Sequence, residues 1–537
     1  MAGLATSFGS GAMTNSIDDV AEAPCIFAIG CNAPEAHPVI GWRVRTAKDR
    51  GAILIVADPR RTQLAQWADL HLQLYPGTDI ALLNGLMYVI ISEGLHRRDF
   101  IAQRTEGFED MWKVVSGYPP DRAAGITGIP KEQIIQAARM MGKADRVCTL
   151  YTLGITEHVV GTHNVFSIAN LAMTLGSVGK PGAGVNPLRG QNNVQGSCDM
   201  GALPNVFPGY QSVTDGAIRA KFEKAWGVSI PPKAGLTVSD MLIQARQGNF
   251  KAMYIVGEDP MMTDPNREHV RQALESLDFL VCQDIFMNAT SELADVIFPA
   301  GSFAEKDGTF TNTERRVQLV RRAIPSPGDA KPDWQIICSL GEAIGLRMPY
   351  SHPSQMMDEM ASLTPSYGGV RHNRLVPDGL QWPCPDESHP GTPLLHREKF
   401  TRGLGKFMAV EHEPPAEMPD DEYPLMLSTG RMLFHYNAGA MTRRTPILQR
   451  EFPRNFLQIN PADAQRLGVR RNGKATVTTR RGSLTVDAQV TDSVKEGVVW
   501  MPFHFAESPA NVLTNDALCP IARTAEYKVC AAKVEPA

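Results

Sequence analysis

Two short stretches constrain the fold of this chain more than anything else in it. Cys25-Ile26-Phe27-Ala28-Ile29-Gly30 and Ala52-Ile53-Leu54-Ile55-Val56-Ala57 carry no charged or amide side chain at any position. A strand with no polar side is buried on both faces, as in a parallel sheet covered by helices. Between them, Pro38 opens a helical pattern with Ile40, Val44 and Ala47 on one face and Gly51 as a stop. The order strand, helix, strand predicts a βαβ unit, whose second strand runs into Asp58-Pro59-Arg60-Arg61. Further on, Thr149-Leu150-Tyr151 leads to Gly154, with a helix expected from about His163 to Leu175.

The pattern then restarts. Met253-Tyr254-Ile255-Val256-Gly257, a helix around Val270–Leu277, Phe279-Leu280-Val281-Cys282 and Ala294-Asp295-Val296-Ile297-Phe298-Pro299 predict a second α/β domain. Residues 346–420 are rich in Pro, His and Gly and read as a linker or wrapping segment. The tail changes class: Ala475–Thr479 and Ser483–Val490 alternate around Arg480-Arg481-Gly482, a hairpin signature, and Val498–Met501 adds another strand. The expected division is 1–191 and 192–345 as α/β domains, 346–420 as linker and 421–537 as a β-rich domain.

Composition closes off other classes. A net charge of −4, from 53 Lys+Arg against 57 Asp+Glu, gives no reason to expect nucleic acid or an anionic membrane as partner. No apolar run approaches the roughly 20 residues that span a bilayer. The nine cysteines are scattered, with no C-x-x-C pair. They predict reduced thiols in a cytoplasmic setting and argue against an iron–sulfur cluster within these residues.

Ligands of open α/β sheets sit beyond the carboxyl ends of the strands. Gly30-Cys31-Asn32 lets backbone approach a phosphate, and Asp58 could grip a ribose or a guanine edge; equally, every parallel strand ends in such a turn. The run Pro187-Leu188-Arg189-Gly190-Gln191-Asn192-Asn193-Val194-Gln195-Gly196 is denser, with one Arg, two Gln and two Asn. Arg189 suits bidentate capture of a carboxylate. The alternative is a polar turn that satisfies its own backbone. Gly257-Glu258-Asp259-Pro260 and Ser428-Thr429-Gly430-Arg431, with His435 and Tyr436 following, are two more polar strand-end loops, open to the same solvated-loop reading.

Together these strings resemble the molybdopterin-dependent formate dehydrogenases, within the bis(molybdopterin guanine dinucleotide) oxidoreductases. The carrying segments are Leu153–His158, Gly179–Asn186, Arg189–Gly201, Val281–Phe286 and Glu526–Cys530. The resemblance covers essentially the whole chain. It implies two Rossmann-like α/β domains forming a cofactor cradle plus a C-terminal β-barrel domain. It implies a cofactor with molybdenum or tungsten, formate and carbon dioxide as substrate and product, and an electron-transfer subunit as partner. Residue by residue, Arg189 falls where the family orients formate, and Gln191 where it contacts a pterin. Gly30, Asn32, Asp58, Arg60, Gly77 and Asp79 fall at one guanine dinucleotide, Asp259, Thr263, Gln283 and Asp333 at the other, and Gly154 is a further cofactor-binding residue. Arg431, His435, Asn511, Tyr527 and Lys528 fall where the barrel closes over the pterins.

One departure shapes the expectation. In the family, an iron–sulfur domain and a metal-ligating selenocysteine or cysteine, followed by histidine, precede the segment aligned with Ala2-Gly3-Leu4. No residue of this chain is therefore expected to ligate the metal. The reading is of a fragment interrupted at a selenocysteine codon and inactive alone, with an electron-transfer subunit or a separate N-terminal segment as partner. The alternatives are a non-catalytic cofactor-binding or scaffold protein of the same superfamily, and a different molybdopterin oxidoreductase.

Overall fold

The apolar runs become strands. In a computed structural model that describes residues 1–537, β1 (Cys25–Ile29), β2 (Ile53–Ala57), β3 (Leu70–Leu72), β4 (Cys148–Tyr151) and β5 (Gly184–Pro187) form one parallel sheet. Its order is β3-β2-β1-β4-β5. Period-two alternation sends Cys25, Phe27 and Ile29 into one apolar core and Ile26 and Ala28 into another. Helix Pro38–Asp49 covers the second core with Ile40, Val44 and Ala47. Helices Asp79–Ser92 and Gly161–Thr174 cover the first. Helix Asp79–Ser92 is buried from Asp79 through Met87, so it has almost no polar face and no helical period for sequence reading to detect. The chain builds outward from β1 to β3, then crosses to β4 on the other side of β1. Their carboxyl ends part at that switch point, which leaves a crevice.

The described residues fall into two compact units: Met1–Gly190 with Asp264–Arg267 and Leu394–Ala537, and Gln191–Thr263 with Glu268–Pro393. In the second unit, β6 (Ala252–Val256), β7 (Phe279–Asp284) and β8 (Val296–Pro299) make a three-stranded parallel sheet. Leu242, Ala245, Val270, Ala273 and Leu274 from two helices pack on the face that carries Ile255, Leu280 and Cys282. The opposite face stays open: Tyr254, Val256 and Phe279 are 36%, 42% and 46% exposed. This sheet therefore differs from the first, being shorter and covered by helices on one side only. A hairpin, β9 (Gly308–Thr311) and β10 (Arg316–Val320), follows. The Pro-rich stretch 346–420 contains helix Pro353–Leu363, and its residues divide between the units at Leu394.

The tail forms β11 (Leu425–Gly430), β12 (Phe456–Ile459), β13 (Lys474–Thr478), β14 (Ser483–Val490), β15 (Val498–Pro502) and β16 (Cys530–Pro536). They close into a barrel in the order β11-β15-β12-β14-β13-β16. The expected hairpin is the β13–β14 pair. Alternate residues, among them Leu425, Leu427, Ala475, Val477, Val499 and Met501, fill the interior. Barrel and five-stranded sheet belong to the same unit. No helix is long and apolar enough to cross a membrane.

Candidate functional site

Within the first unit, the carboxyl ends of the five-stranded sheet and one end of the barrel line a cleft. Gly30 ends β1 at φ +54°, and Gly154 follows β4. A Cβ on Gly30 would stand 2.7 Å from the Gly154 carbonyl carbon, and one on Gly154 would stand 2.6 Å from the Gly30 Cα. The two turns meet backbone to backbone, and the Thr152 hydroxyl ties them by donating to the Gly30 carbonyl at 2.9 Å. Gly77-Thr78-Asp79 brings the N-terminus of the 14-residue helix Asp79–Ser92 to the same cleft. Free N–H groups and the helix dipole favour an anion there.

The charged groups come from both walls. The Asp58 backbone turns so that its carboxylate accepts the Arg60 N–H at 2.9 Å. The Arg60 guanidinium lies 3.6 Å over the Trp500 ring of the barrel and donates to Gln458 at 3.2 Å. Arg431 donates to the Gly190 carbonyl at 3.1 Å, and Lys528 pairs with Glu157 at 2.7 Å. Burial pushes the Asp58 carboxyl up and lowers Arg60 and Arg431. Burial also takes Asp79 up to about 7 and His158 down to about 4.

Several polar atoms in this cleft are buried without any protein partner: both ends of the Asn32 amide, Nδ1 of His37, Nδ1 of His158 and Nε of Arg431. His37 and His158 each place Nε2 against a carbonyl oxygen, of Arg189 at 2.6 Å and of Gly154 at 2.9 Å. Burial lowers both imidazoles, keeping them neutral. A neutral ring that donates through Nε2 leaves Nδ1 as a bare acceptor. An unmade hydrogen bond at a buried polar atom costs about 1–3 kcal/mol, so the three acceptors among them (Asn32 Oδ1 and the two Nδ1 atoms) and the two donors (Asn32 Nδ2 and Arg431 Nε) together call for a ligand that carries both N–H or O–H donors and acceptor oxygens. Arg60, Arg431 and Lys528 add cations for phosphate. Base, ribose and pyrophosphate supply this combination, so the residues fit a dinucleotide. No three His, Cys, Asp or Glu side chains gather closely enough to hold a metal ion directly.

Of the residues singled out from sequence, Gly30, Asn32, Asp58, Arg60, Gly77, Asp79, Gly154, Arg431 and Lys528 line this cleft. Arg189 stands between two lining residues, Leu188 and Gly190, and its own guanidinium reaches the Gly11 carbonyl at 3.4 Å. His435 is buried in the barrel, Nε2 against the Phe452 carbonyl at 2.7 Å. Asn511 is buried in the turn Ala510–Val512, and the Tyr527 carbonyl accepts from Thr429 at 2.8 Å. In the second unit, Asp259 accepts from the Thr290 hydroxyl at 2.6 Å, and Thr263 donates to Glu258 at 2.8 Å. Gln283 donates to Asp333 at 2.7 Å, in a chain that also includes Tyr254 and Lys306. The amide run is partly used up internally: Asn193 accepts the Thr311 N–H at 2.8 Å, and Gln195 donates to Asp199 at 2.8 Å. Gln191 opens the second unit. Sequence reading missed His37, His158 and Trp500. A lone histidine or tryptophan carries no spacing signal, although His158 ends the string Leu153–His158.

Residues 3–343 match the family model "Molybdopterin oxidoreductase", and residues 425–531 match "Molydopterin dinucleotide binding domain". The chain is 50% identical over 537 residues to the alpha subunit of F420-dependent formate dehydrogenase 1 of Methanococcus maripaludis, covering 99% of this chain and 79% of that protein. It is 42% identical to formate dehydrogenase H of Escherichia coli, over 100% of this chain and 76% of that one. The solved acetylene hydratase of Pelobacter acetylenicus shares the fold, with a TM-score of 0.74 at 21% identity over 100% of this chain and 80% of that chain. With its sheet-and-barrel cleft, its family match and these relatives, the chain belongs to the molybdopterin oxidoreductase family.

Proposed function

We propose that this chain oxidises formate to carbon dioxide, or catalyses the reverse, with a bis(molybdopterin guanine dinucleotide) carrying molybdenum or tungsten. The observation that carries the reading is the single cleft in which cations and unpartnered buried acceptors face each other, in a chain half identical to formate dehydrogenase alpha subunits. When bound, the cofactor supplies the two-electron redox chemistry. The chain's own residues bind and orient. Gly30 and Gly154 admit the pyrophosphate close to backbone, with the Gly77–Asp79 helix start facing it. Asp58, Asp79 and the Nδ1 atoms of His37 and His158 accept from base and ribose, and Asn32 both donates and accepts. Arg60, Arg431 and Lys528 balance negative charge.

The second dinucleotide is assigned to Asp259, Thr263, Gln283 and Asp333, a pterin contact to Gln191, and barrel support to His435, Asn511 and Tyr527. Arg189 holds the formate carboxylate through its planar fork, and a separate electron-transfer subunit takes the electrons onward. The test is formate-dependent dye reduction by the cofactor-loaded chain joined to the N-terminal segment that carries the metal ligand in the family, with GMP release on acid hydrolysis reporting the dinucleotide. Arg189→Lys replaces the fork by a point charge and is expected to raise the KM for formate about tenfold while the cofactor content stays unchanged. Cofactor-loaded protein with that segment restored that leaves the dye oxidised in formate would overturn the assignment. An Arg189→Lys variant with unaltered KM would remove that residue from the substrate site.

A further inference from the structure

The amide-bearing turn that begins the second unit is tied down through a single carboxylate. Asp199 ends helix Val194–Asp199 and is almost wholly buried. Its Oδ1 accepts from Gln195 at 2.8 Å and from the Tyr210 hydroxyl at 2.7 Å. Its Oδ2 accepts from the Tyr367 hydroxyl at 2.5 Å and from the Trp382 indole N–H at 2.7 Å. Four donors saturate the carboxylate, and three of them come from outside its helix. The Trp382 carbonyl in turn accepts from buried Arg315, whose guanidinium also donates to Thr392 at 2.8 Å and Pro393 at 3.0 Å.

The hub is wired to the turn ahead of its helix. Tyr367 hydrogen-bonds the Thr311 side chain, and the Thr311 N–H donates to Asn193 Oδ1 at 2.8 Å. Asn193, Thr311, Tyr367 and Asp199 thus form a closed circuit around the short helix. Gly196 sits inside it: a Cβ there would stand 2.2 Å from Asn193 Oδ1, so the circuit has no slack. A buried charge is costly unless fully hydrogen-bonded, and for packing alone an apolar residue would serve. What the carboxylate adds is direction, because hydrogen bonds to a charged acceptor are short and geometrically strict.

We infer that Asp199 is a positioning residue, whose four-donor circuit fixes the Gln191–Asn193 turn and so the polar groups that turn presents to cofactor and substrate, an inference that rests on the function proposed above. Asp199→Asn puts an N–H₂ where two donors point and opens the circuit. Tyr367→Phe removes one donor and cuts the link to Thr311 while leaving the carboxylate in place.

Hydrogen exchange in the full chain reads positioning without any turnover. Amides 191–199 are expected to exchange about tenfold faster in Asp199→Asn and several-fold faster in Tyr367→Phe, with barrel amides unchanged. Formate kinetics on the cofactor-loaded variants should show the KM rising about tenfold and kcat changing less, because orientation rather than chemistry is lost. Unchanged exchange at 191–199 in both variants would overturn the inference. So would an equal rise across every element, which would mark Asp199 as a stability residue only. If the unmodified loaded chain with its N-terminal segment restored fails to oxidise formate, the proposed function falls, and the exchange data alone decide the role of Asp199.

Discussion

Asp79 illustrates what a single residue in this cleft costs the fold. Its carboxyl is pushed up to about 7 by burial, with the nearby Asp58 carboxylate adding to the shift. Between about pH 4 and 7 the folded chain therefore keeps a proton that the unfolded chain has released. The folded state binds more protons across that window, so this residue's contribution falls as pH rises through it and is level above it. Asp79→Asn keeps the shape without the charge. In the ligand-free protein it should gain on the unmodified chain from pH 5 to pH 8, by on the order of 2–4 kcal/mol in urea unfolding. An equal difference at both pH values would show that Asp79 is not held protonated. His158 works in the opposite sense: depressed to about 4, it stays neutral where a free histidine would charge, and keeps Nδ1 available as an acceptor. At this scale the sequence was legible only where residue type and strand end coincide, as at Asp58 and Gly30. The Asp199 circuit was not, because Tyr367 and Trp382 lie far along the chain and nothing local to Asp199 points to them.

Among the elements, the strands were the most legible. β1 and β2 are apolar on both sides because both sides are covered, and their sequences say so directly. Helix Asp79–Ser92 escaped notice for the same physical reason, since burial all round erases the period on which a helix is recognised. The barrel's hairpin was visible in the alternation, whereas its closure was expected from the family resemblance alone: β11 pairs with β15 and β16, and no short-range pattern encodes such partners. The contact between the β1 and β4 turns makes a sharp prediction. Gly154→Ala places a methyl within 3 Å of Gly30 backbone, which cannot rotate away. It should destabilise the first unit by about 1–3 kcal/mol and weaken dinucleotide binding, measured by thermal unfolding and by GMP content. A variant with unchanged melting temperature and full GMP content would show that the two strand ends can separate freely.

For the whole molecule, the unequal covering of the two sheets is the feature with practical weight. The second unit presents Tyr254, Val256 and Phe279 to solvent from one sheet face, and contiguous apolar surface on a sheet promotes association. Phe279→Lys should lower concentration-dependent light scattering while shifting the melting temperature by less than about 2 °C, because the side chain is half exposed and little packing is lost. Scattering that stays the same would locate the sticky surface elsewhere. The sequence predicted a second α/β domain and could not foresee the open face, since strands written in apolar residues look alike whether or not helices cover both their sides.

The order in which parts of the cleft come into existence follows from the way the barrel closes. β16 pairs with β11 through Leu425 and Ala532, so the ring is completed across more than a hundred intervening residues. Lys528 stands just before that closing strand, and Arg431 just after the strand it joins. During synthesis the five-stranded sheet can form long before either cation has a fixed place, because loop closure of this length comes late. The closing strand, Cys530–Pro536, must therefore leave the ribosome before the cleft has two walls. Until then, a ligand that arrives early is held by the sheet's strand ends alone, without Arg431 or Lys528.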